Sequence, residues 1–150
     1  MKIIPSLLAL ALLAGGPTLS NAQTAAPAPT EQQVAANIAA GQAAATIWLT
    51  QLDNGMWGET WDQSSRVFRA NVPLANWMDA MGKTRAPLGR ATKREVGDAI
   101  FKTSLAGQPD GAYVSVLFVT TFPGKEPVDE MVTTVREPDG RWRVTGYSSQ

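Results

Sequence analysis

Residues 113–122 read YVSVLFVTTF, the stretch of the chain richest in β-branched and aromatic residues. These residue types favour β-strands, and strand side chains alternate between the two faces of a sheet. Val114, Val116, Phe118 and Phe122 share one face. The opposite face is also apolar at Leu117 and Val119. Apolar side chains on both faces predict a central strand.

Turn sequences surround this strand and divide the C-terminal half of the chain into short segments. They are GQPDG at 107–111, PG at 123–124 and PDG at 138–140. Glycine, proline and aspartate are the usual residues of tight turns. The sequence therefore predicts four consecutive strands at 93–105, 113–122, 128–137 and 142–148, of which the first has the weakest alternation.

Helical patterns occupy the preceding part of the chain. Thr30, followed three residues later by Gln33, forms a capping-box pattern, and the helix that it begins is predicted to end at residues 53–55 (DNG). A second predicted helix carries Trp57, Trp61, Ser64 or Ser65, and Phe68. A third starts near Pro73 and places Leu74, Trp77, Met78 and Met81 on one stripe. The predicted fold is α+β: three N-terminal helices packed on a four-stranded antiparallel meander.

The N-terminus has the pattern of a cleavable signal peptide. Lys2 precedes an apolar stretch of twelve residues, and the small residues Ser20 and Ala22 suit a signal peptidase. Cleavage after Ala22 defines a signal peptide at 1–22, an Ala/Pro-rich spacer at 23–30 and one domain at 31–150. The apolar stretch is shorter than the roughly 20 residues of a membrane span. We therefore expect a periplasmic or secreted protein.

Composition narrows the chemistry that the domain can perform. The chain contains 13 basic and 13 acidic residues, no cysteine and no histidine. This balance gives no reason to expect nucleic acid or an acidic membrane as a partner. Without cysteine there is no thiolate nucleophile or disulfide, and without histidine the usual general base and commonest metal ligand are missing. We expect no metal and no cofactor.

Several short blocks resemble an exported bacterial family, domain of unknown function 4019. The blocks are Trp48-x-x-x-Leu52-Asp53-x-Gly55-x-Trp57-x-x-x-Trp61, Arg85-x-Pro87-Leu88-Gly89, Pro109-Asp110-Gly111-x-Tyr113-Val114 and Asp139-Gly140-x-Trp142-Arg143-Val144-x-Gly146-Tyr147. The resemblance runs from about residue 43 to 147. It implies a cystatin-like or nuclear transport factor 2-like architecture, in which a curved sheet wraps a cone of helices. The family has no assigned chemistry, and the architecture hosts isomerases and hydratases as well as non-catalytic binding modules.

Asp53, Asp62 and Asp98 are the weak candidates for a catalytic carboxylate. An aspartate in an apolar pocket has a raised pKa and serves as a general base, as in isomerases of that architecture. The alternative is structural: Asp53 sits at a helix end, and Asp62 favours the second helix electrostatically. Asp98 lies on the weak first strand.

Arg85 and Arg90 are the candidates for binding an anion. They belong to a segment, 83–94, with five basic residues and no acid, and a guanidinium group binds carboxylates or phosphates in bidentate fashion. The alternative is a solvated loop, or an Arg85 paired with an acid of the domain. Trp48 and Trp61 are the candidates for an apolar ligand cavity, or else they belong to the ordinary core.

Three functions remain open on the sequence. The leading hypothesis is a non-catalytic domain that binds a small anionic or apolar ligand, or a partner protein. The second is an isomerase or lyase with a carboxylate base inside the cone. The third is a structural module that forms a homodimer through the exposed face of its sheet.

Overall fold

The computed structural model describes residues 27–150. The expected signal peptide at 1–22 and the first four residues of the spacer lie outside this range. The helices are α1 (Glu31–Asp53), α2 (Trp57–Gln63), α3 (Arg66–Asn71) and α4 (Leu74–Thr84), followed by a single 3-10 turn at Ala86–Leu88. The strands are β1 (Lys93–Lys102), β2 (Tyr113–Thr121), β3 (Val128–Arg136) and β4 (Trp142–Ser149). The fold is α+β, as the sequence predicts.

The capping box predicted for α1 is confirmed. The hydroxyl of Thr30 accepts a hydrogen bond from the backbone N–H of Gln33 at 3.2 Å, and the Gln33 side chain accepts one from the Thr30 N–H at 2.8 Å. The helix ends after Asp53, where Gly55 adopts a positive φ of 75°. This left-handed conformation, which glycine adopts without steric cost, turns the chain towards α2.

The prediction of three helices is wrong, because the second helical segment divides into α2 and α3. Ser64 and Ser65 both adopt extended backbone conformations between them. The Ser65 side chain caps α3 by accepting from the Phe68 N–H, while its own N–H donates to the Val144 carbonyl of β4 at 2.8 Å. The helix is therefore interrupted at these serines, because Ser65 caps α3 and bonds to the sheet instead of continuing α2.

The helix predicted to start near Pro73 is α4, with Pro73 as its N-cap. Only half of its expected apolar stripe is covered. Trp77 and Met81 are buried, whereas Leu74 and Met78 remain about two-fifths exposed. The helix therefore packs through a narrower face than its sequence pattern suggests.

The four strands form one antiparallel sheet in the order β1-β2-β3-β4, the meander that the turn sequences predict. β1 ends at Lys102 rather than at residue 105. Its register shifts between Val96 and Asp98, which marks a β-bulge, and a second shift lies between Thr133 and Thr134. Every neighbouring pair of strands is joined by a turn, so each pairing is local in the sequence.

The core lies between the helices and one face of the sheet. Val114, Val116 and Phe118 of β2 are each at most 1% exposed and face the helices, as predicted. α1 approaches the sheet closely at Gly41, where a Cβ would lie 2.6 Å from the Cβ of Val114. The core cluster consists of Ala45, Trp48, Leu49, Leu52, Phe68, Trp77, Met81, Val114, Val116, Phe118, Val132 and Val144.

The opposite face of the sheet is not covered by any helix that the structure describes. Leu117 is half-buried there, while Ile100 on β1 and Met131 on β3 are 48% and 39% exposed. β2 is thus central in strand order, as predicted, but helices cover only one of its two apolar faces.

Candidate functional site

Four charged residues meet inside the domain where the helical layer joins the sheet. They form the charged tetrad, which consists of Asp53, Arg85, Arg94 and Glu130. Asp53 is the last residue of α1 and Arg85 directly follows α4; Arg94 and Glu130 lie near the starts of β1 and β3. Glu130 is fully buried, and the side chain of Arg85 is only 3% exposed. Two separate helices and two non-adjacent strands therefore converge on one polar cluster.

The tetrad is a closed ring in which each arginine contacts both acids. Arg85 donates to Glu130 at 2.9 Å and also to Asp53. Arg94 donates to Asp53 at 2.7 Å and to Glu130 at 2.8 Å. The formal charges cancel, and charge-assisted hydrogen bonds of this kind offset the cost of removing the groups from water.

Neighbouring side chains complete the environment of Glu130. The Thr120 hydroxyl donates to one carboxylate oxygen at 2.6 Å, and the Tyr147 hydroxyl donates to the other at 2.8 Å. The guanidinium of Arg85 stacks over the ring of Phe122, 4.5 Å from its centroid. This stacking places a cation on the negative face of an aromatic ring.

These contacts shift the pKa values of Glu130 and its neighbours. Burial alone raises the pKa of Glu130, but the Thr120 hydroxyl and the guanidinium groups of Arg85 and Arg94 outweigh it and hold that pKa below its ordinary value. Burial, followed by the charge of Glu130, raises the pKa of Tyr147. Glu130 is therefore ionised and Tyr147 protonated at neutral pH, which maintains the hydrogen bond between them.

A surface hollow of about 350 Å³ lies beside the tetrad. We name it the Arg90 hollow; it is lined by Leu52, Asp53, Asn54, Gly55, Trp57, Arg85, Ala86, Gly89 and Arg90. Within residues 27–150, the buried Nε of Arg85 has no hydrogen-bond partner, although both terminal nitrogens of that side chain are engaged. Arg90 is exposed and forms none of the ion pairs found in the same range.

The structure brings Arg85 and Arg90 together in this hollow but places Trp48 and Trp61 elsewhere. Trp48 is 3% exposed, and its indole N–H donates to the Thr60 carbonyl at 2.9 Å in the core. Trp61 donates to the Val72 carbonyl at 2.7 Å and lies under the guanidinium of Arg69. Each ring therefore links two segments of the fold through its indole N–H. The tryptophan that lines the hollow is Trp57.

The three candidate carboxylates occupy different settings. Asp53 is bound by Arg85 and Arg94, which use both of its oxygens. Asp62 is exposed on α2, and Asp98 is exposed beside the bulge of β1, where it accepts a hydrogen bond from the N–H of Ala99. The structure does not bring these carboxylates together. A base that removes a proton from a substrate needs an accessible oxygen in a sheltered pocket, and this combination is found at none of the three.

Sequence reasoning missed Glu130 as the buried acid that pairs with Arg85, and it missed Arg94 as the second arginine of the tetrad. The signal was present in the alternation of β3, where Glu130 shares a face with Val132 and Thr134. An acid at an inward position of an apolar strand face requires a buried cation. The identity of that cation depends on how the helices fold over the sheet, which strand alternation does not reveal.

Two further observations concern the residues that the structure describes. Within 27–150, no three or more acidic side chains are grouped so as to hold a metal ion. In the same range, no helix has both the length and the apolar character needed to cross a membrane.

The fold and the site define an α+β domain whose helical layer is fastened to its sheet by a buried ring of charges. The model of a family described as a protein of unknown function, DUF4019, matches residues 44–147. Because this match spans more than half of the chain, the protein belongs to that family, as the resemblance of its sequence blocks indicates. No protein with a curated description matches the chain.

Proposed function

We propose that this protein is a non-catalytic binding domain that holds a small anionic ligand in the Arg90 hollow. The observation that supports it is the buried Nε–H of Arg85, which lacks an acceptor among residues 27–150 and belongs to a side chain in the wall of the hollow. Nearly all buried donors in proteins are paired, and an anion or a water bound in the hollow would supply the acceptor for this one.

The charge balance of the hollow supports an anion. Asp53 is the one acid among its lining residues and is already neutralised by Arg85 and Arg94. Among residues 27–150, Arg90 at the mouth forms no ion pair with an acid. A carboxylate or phosphate would accept from Arg90, and a flat portion of the ligand would pack on Trp57.

The geometry favours binding over the isomerase or lyase alternative. Both oxygens of Asp53 accept hydrogen bonds from arginines, and Glu130, whose pKa the arginines help to lower, is a weaker base than a carboxylate in an apolar pocket. The inner space also contains packed aromatic rings, with the centroids of Trp48 and Trp77 only 5.7 Å apart. Substrate would have to displace these rings to reach the cone.

Native mass spectrometry of the protein purified from its source cells tests the proposal. We expect an adduct of a small acid on the wild type. The adduct should be lost from Arg90→Gln, because a glutamine keeps the size of the side chain but removes the charge. Lys125→Gln is the matched control, since Lys125 is exposed in the turn between β2 and β3 and is not among the residues that line the hollow.

Two results would contradict the proposal. The first is wild-type protein without an adduct that also shows no thermal stabilisation by carboxylates or inorganic phosphate. The second is an adduct that Arg90→Gln and Lys125→Gln retain equally, because the anion would then bind outside the hollow.

The second candidate function is self-association through the outer face of the sheet. Leu117 pairs with Met131 on the neighbouring strand, and Ile100 lies nearby on β1, so three apolar side chains adjoin on an uncovered face. A two-fold symmetric dimer brings the same patch of both copies together. Light scattering after gel filtration tests it: a dimer that Met131→Lys converts to a monomer supports it, and a monomeric wild type contradicts it.

We also propose that the protein is exported, and that its helices and sheet form a cone of the cystatin-like or nuclear transport factor 2-like kind. Support for export comes from the signal-peptide pattern, and support for the cone comes from the long α1 packed across a meander. An intact mass that begins at Gln23 tests the first proposal. A crystal structure superposed on members of that architecture tests the second.

A further inference from the structure

A second hollow lies at the opposite end of the sheet from the tetrad. It has a volume of about 480 Å³, and we name it the hairpin hollow. It is formed by the start of α3, the loop before β2, and the turn between β3 and β4. Its lining residues are Arg66, Val67, Pro109, Asp110, Gly111, Ala112, Tyr113, Val135, Arg136, Glu137, Pro138 and Gly140. The Arg90 hollow and the hairpin hollow share no residue.

The loop that forms one wall is held in place by hydrogen bonds. The hydroxyl of Tyr113, whose residue is only 3% exposed, donates to the Pro109 carbonyl at 2.5 Å. Burial, followed by the charge of Asp110, raises the pKa of Tyr113, so this hydroxyl stays protonated. The N–H of Gly111 donates to Thr103 at 2.9 Å. A wall fixed in this way exists before any ligand arrives, which lowers the entropic cost of binding.

The interior of the hairpin hollow is mostly carbon. The ring of Tyr113 and the side chains of Pro109 and Pro138 line it together with Val67 and Val135. Ligand sites in proteins have this composition and volumes of about 300 to 1,000 Å³. The hollow therefore suits a small apolar group such as a phenyl ring or a short alkyl chain.

The rim supplies positive charge. Arg136 forms none of the ion pairs found among residues 27–150, whereas Arg66, whose side chain is 71% exposed, has its Nε 3.9 Å from Oε1 of Glu137. Glu137 is already engaged, because it accepts from Arg143 at 3.0 Å and from the backbone N–H of Arg66 at 2.8 Å. Asp110 is the remaining acid in the lining.

We propose that the hairpin hollow is a second ligand site, for a small aromatic or aliphatic monocarboxylate. The apolar body packs against Tyr113 and the two prolines, and the carboxylate accepts from Arg136, with Arg66 at the mouth. The charge of Asp110 opposes a second negative charge nearby, so a dicarboxylate or a phosphate binds less well. Asp110 therefore acts as a specificity-determining residue.

Calorimetric titration of the full mature chain with 3-phenylpropionate tests this site. We expect saturable binding that Arg136→Gln weakens about tenfold, because it removes one charge-assisted hydrogen bond. Arg90→Gln is the matched control and should leave the affinity unchanged. The uncharged 3-phenylpropanamide should bind at least about tenfold more weakly than the acid, and Asp110→Asn should improve binding of the dicarboxylate phenylsuccinate.

Three outcomes would overturn the proposal. They are no binding of 3-phenylpropionate, equal affinity for the acid and its amide, or a loss in Arg90→Gln that matches the loss in Arg136→Gln. If Arg136→Gln has a lowered Tm, Arg66→Gln is used in its place. This variant should also weaken the binding of 3-phenylpropionate, and a loss that Arg90→Gln matches counts against the site. Binding in the Arg90 hollow is lost in Arg90→Gln and binding in the hairpin hollow is weakened in Arg136→Gln, so either proposal can fail alone.

Discussion

Arg85, which follows the last helix, donates a hydrogen bond of 2.9 Å to Glu130 on β3, and both side chains are shielded from water. This bond joins the helical layer to the sheet. Water is largely excluded from both side chains, so their charges are compensated by protein groups and not by solvent. Removing one partner of a buried ion pair costs about 3–5 kcal/mol, and after Arg85→Ala the two acids of the tetrad share Arg94 alone, so that one negative charge is uncompensated. We therefore expect Arg85→Ala to lower the Tm by about 10 °C or more.

Arg90→Ala is the control for this prediction, because Arg90 is exposed in the loop that follows the 3-10 turn. Its Tm should stay close to that of the wild type. Thermal melts followed by circular dichroism compare the two variants. Small and equal shifts would mean that the tetrad contributes little to stability.

Glu130 makes the stability of the domain dependent on pH. Its pKa is lowered in the folded protein, whereas a glutamate in an unfolded chain has a pKa of about 4.3. The stabilisation is therefore complete above about pH 4.3 and is lost as the pH falls from there through the folded pKa. Urea melts of the wild type and Glu130→Gln between pH 7 and pH 3 measure how the unfolding free energy of each depends on pH. The stability difference between them should shrink below about pH 4.3, and a constant difference would contradict the assignment.

Phe118→Ala tests how completely the core is filled. Phe118 is 1% exposed and packs in the cluster between α1 and the sheet. Truncation leaves a cavity and should cost about 3–5 kcal/mol of unfolding free energy. Denaturant melts give the number, and a cost below about 1 kcal/mol with an unchanged m-value would indicate an open pocket at this position.

Gly41 and Gly82 form a matched pair in two helices. A Cβ at Gly41 would lie 2.6 Å from Val114 and 2.8 Å from Thr134, whereas at Gly82 nothing lies within 4 Å. Gly41→Ala should therefore destabilise the domain by about 1–3 kcal/mol despite the better helix propensity of alanine. Gly82→Ala should stabilise it by up to about 1 kcal/mol. The two shifts in Tm should have opposite signs, and a stabilising Gly41→Ala would show that α1 moves away from the sheet easily.

Local signals predicted most of the fold. The alternation in residues 113–122, the three turn sequences and the capping box at Thr30 each depend on near neighbours, and each appears in the structure. The break at Ser64 and Ser65 was not predicted, because the bond from Ser65 to Val144 depends on a strand 79 residues later. The conformational propensity of serine favours helix caps, but propensity alone does not decide whether a helix ends or continues at a given serine.

The candidate site was predicted only in part, for a related reason. The basic segment identified Arg85 and Arg90, and both line one hollow. The acids that bind Arg85 lie 32 positions before it and 45 positions after it, so no local pattern links them. Which cation neutralises which buried acid is a property of the tertiary packing.

The ring of four charges also restricts how the sequence can change. Replacing Arg85 by methionine leaves Arg94 to neutralise both acids, an excess of one negative charge, and replacing Glu130 by leucine leaves Asp53 to neutralise both arginines, an excess of one positive charge. Replacing both at once removes a cation and an anion together, and well-packed apolar residues in place of a buried pair are often neutral in stability. A double-mutant cycle should therefore show strong positive coupling between these two positions. Single substitutions in the ring therefore lower the stability of the domain. We expect the sequence to change at these positions in pairs that remove one cation and one anion together.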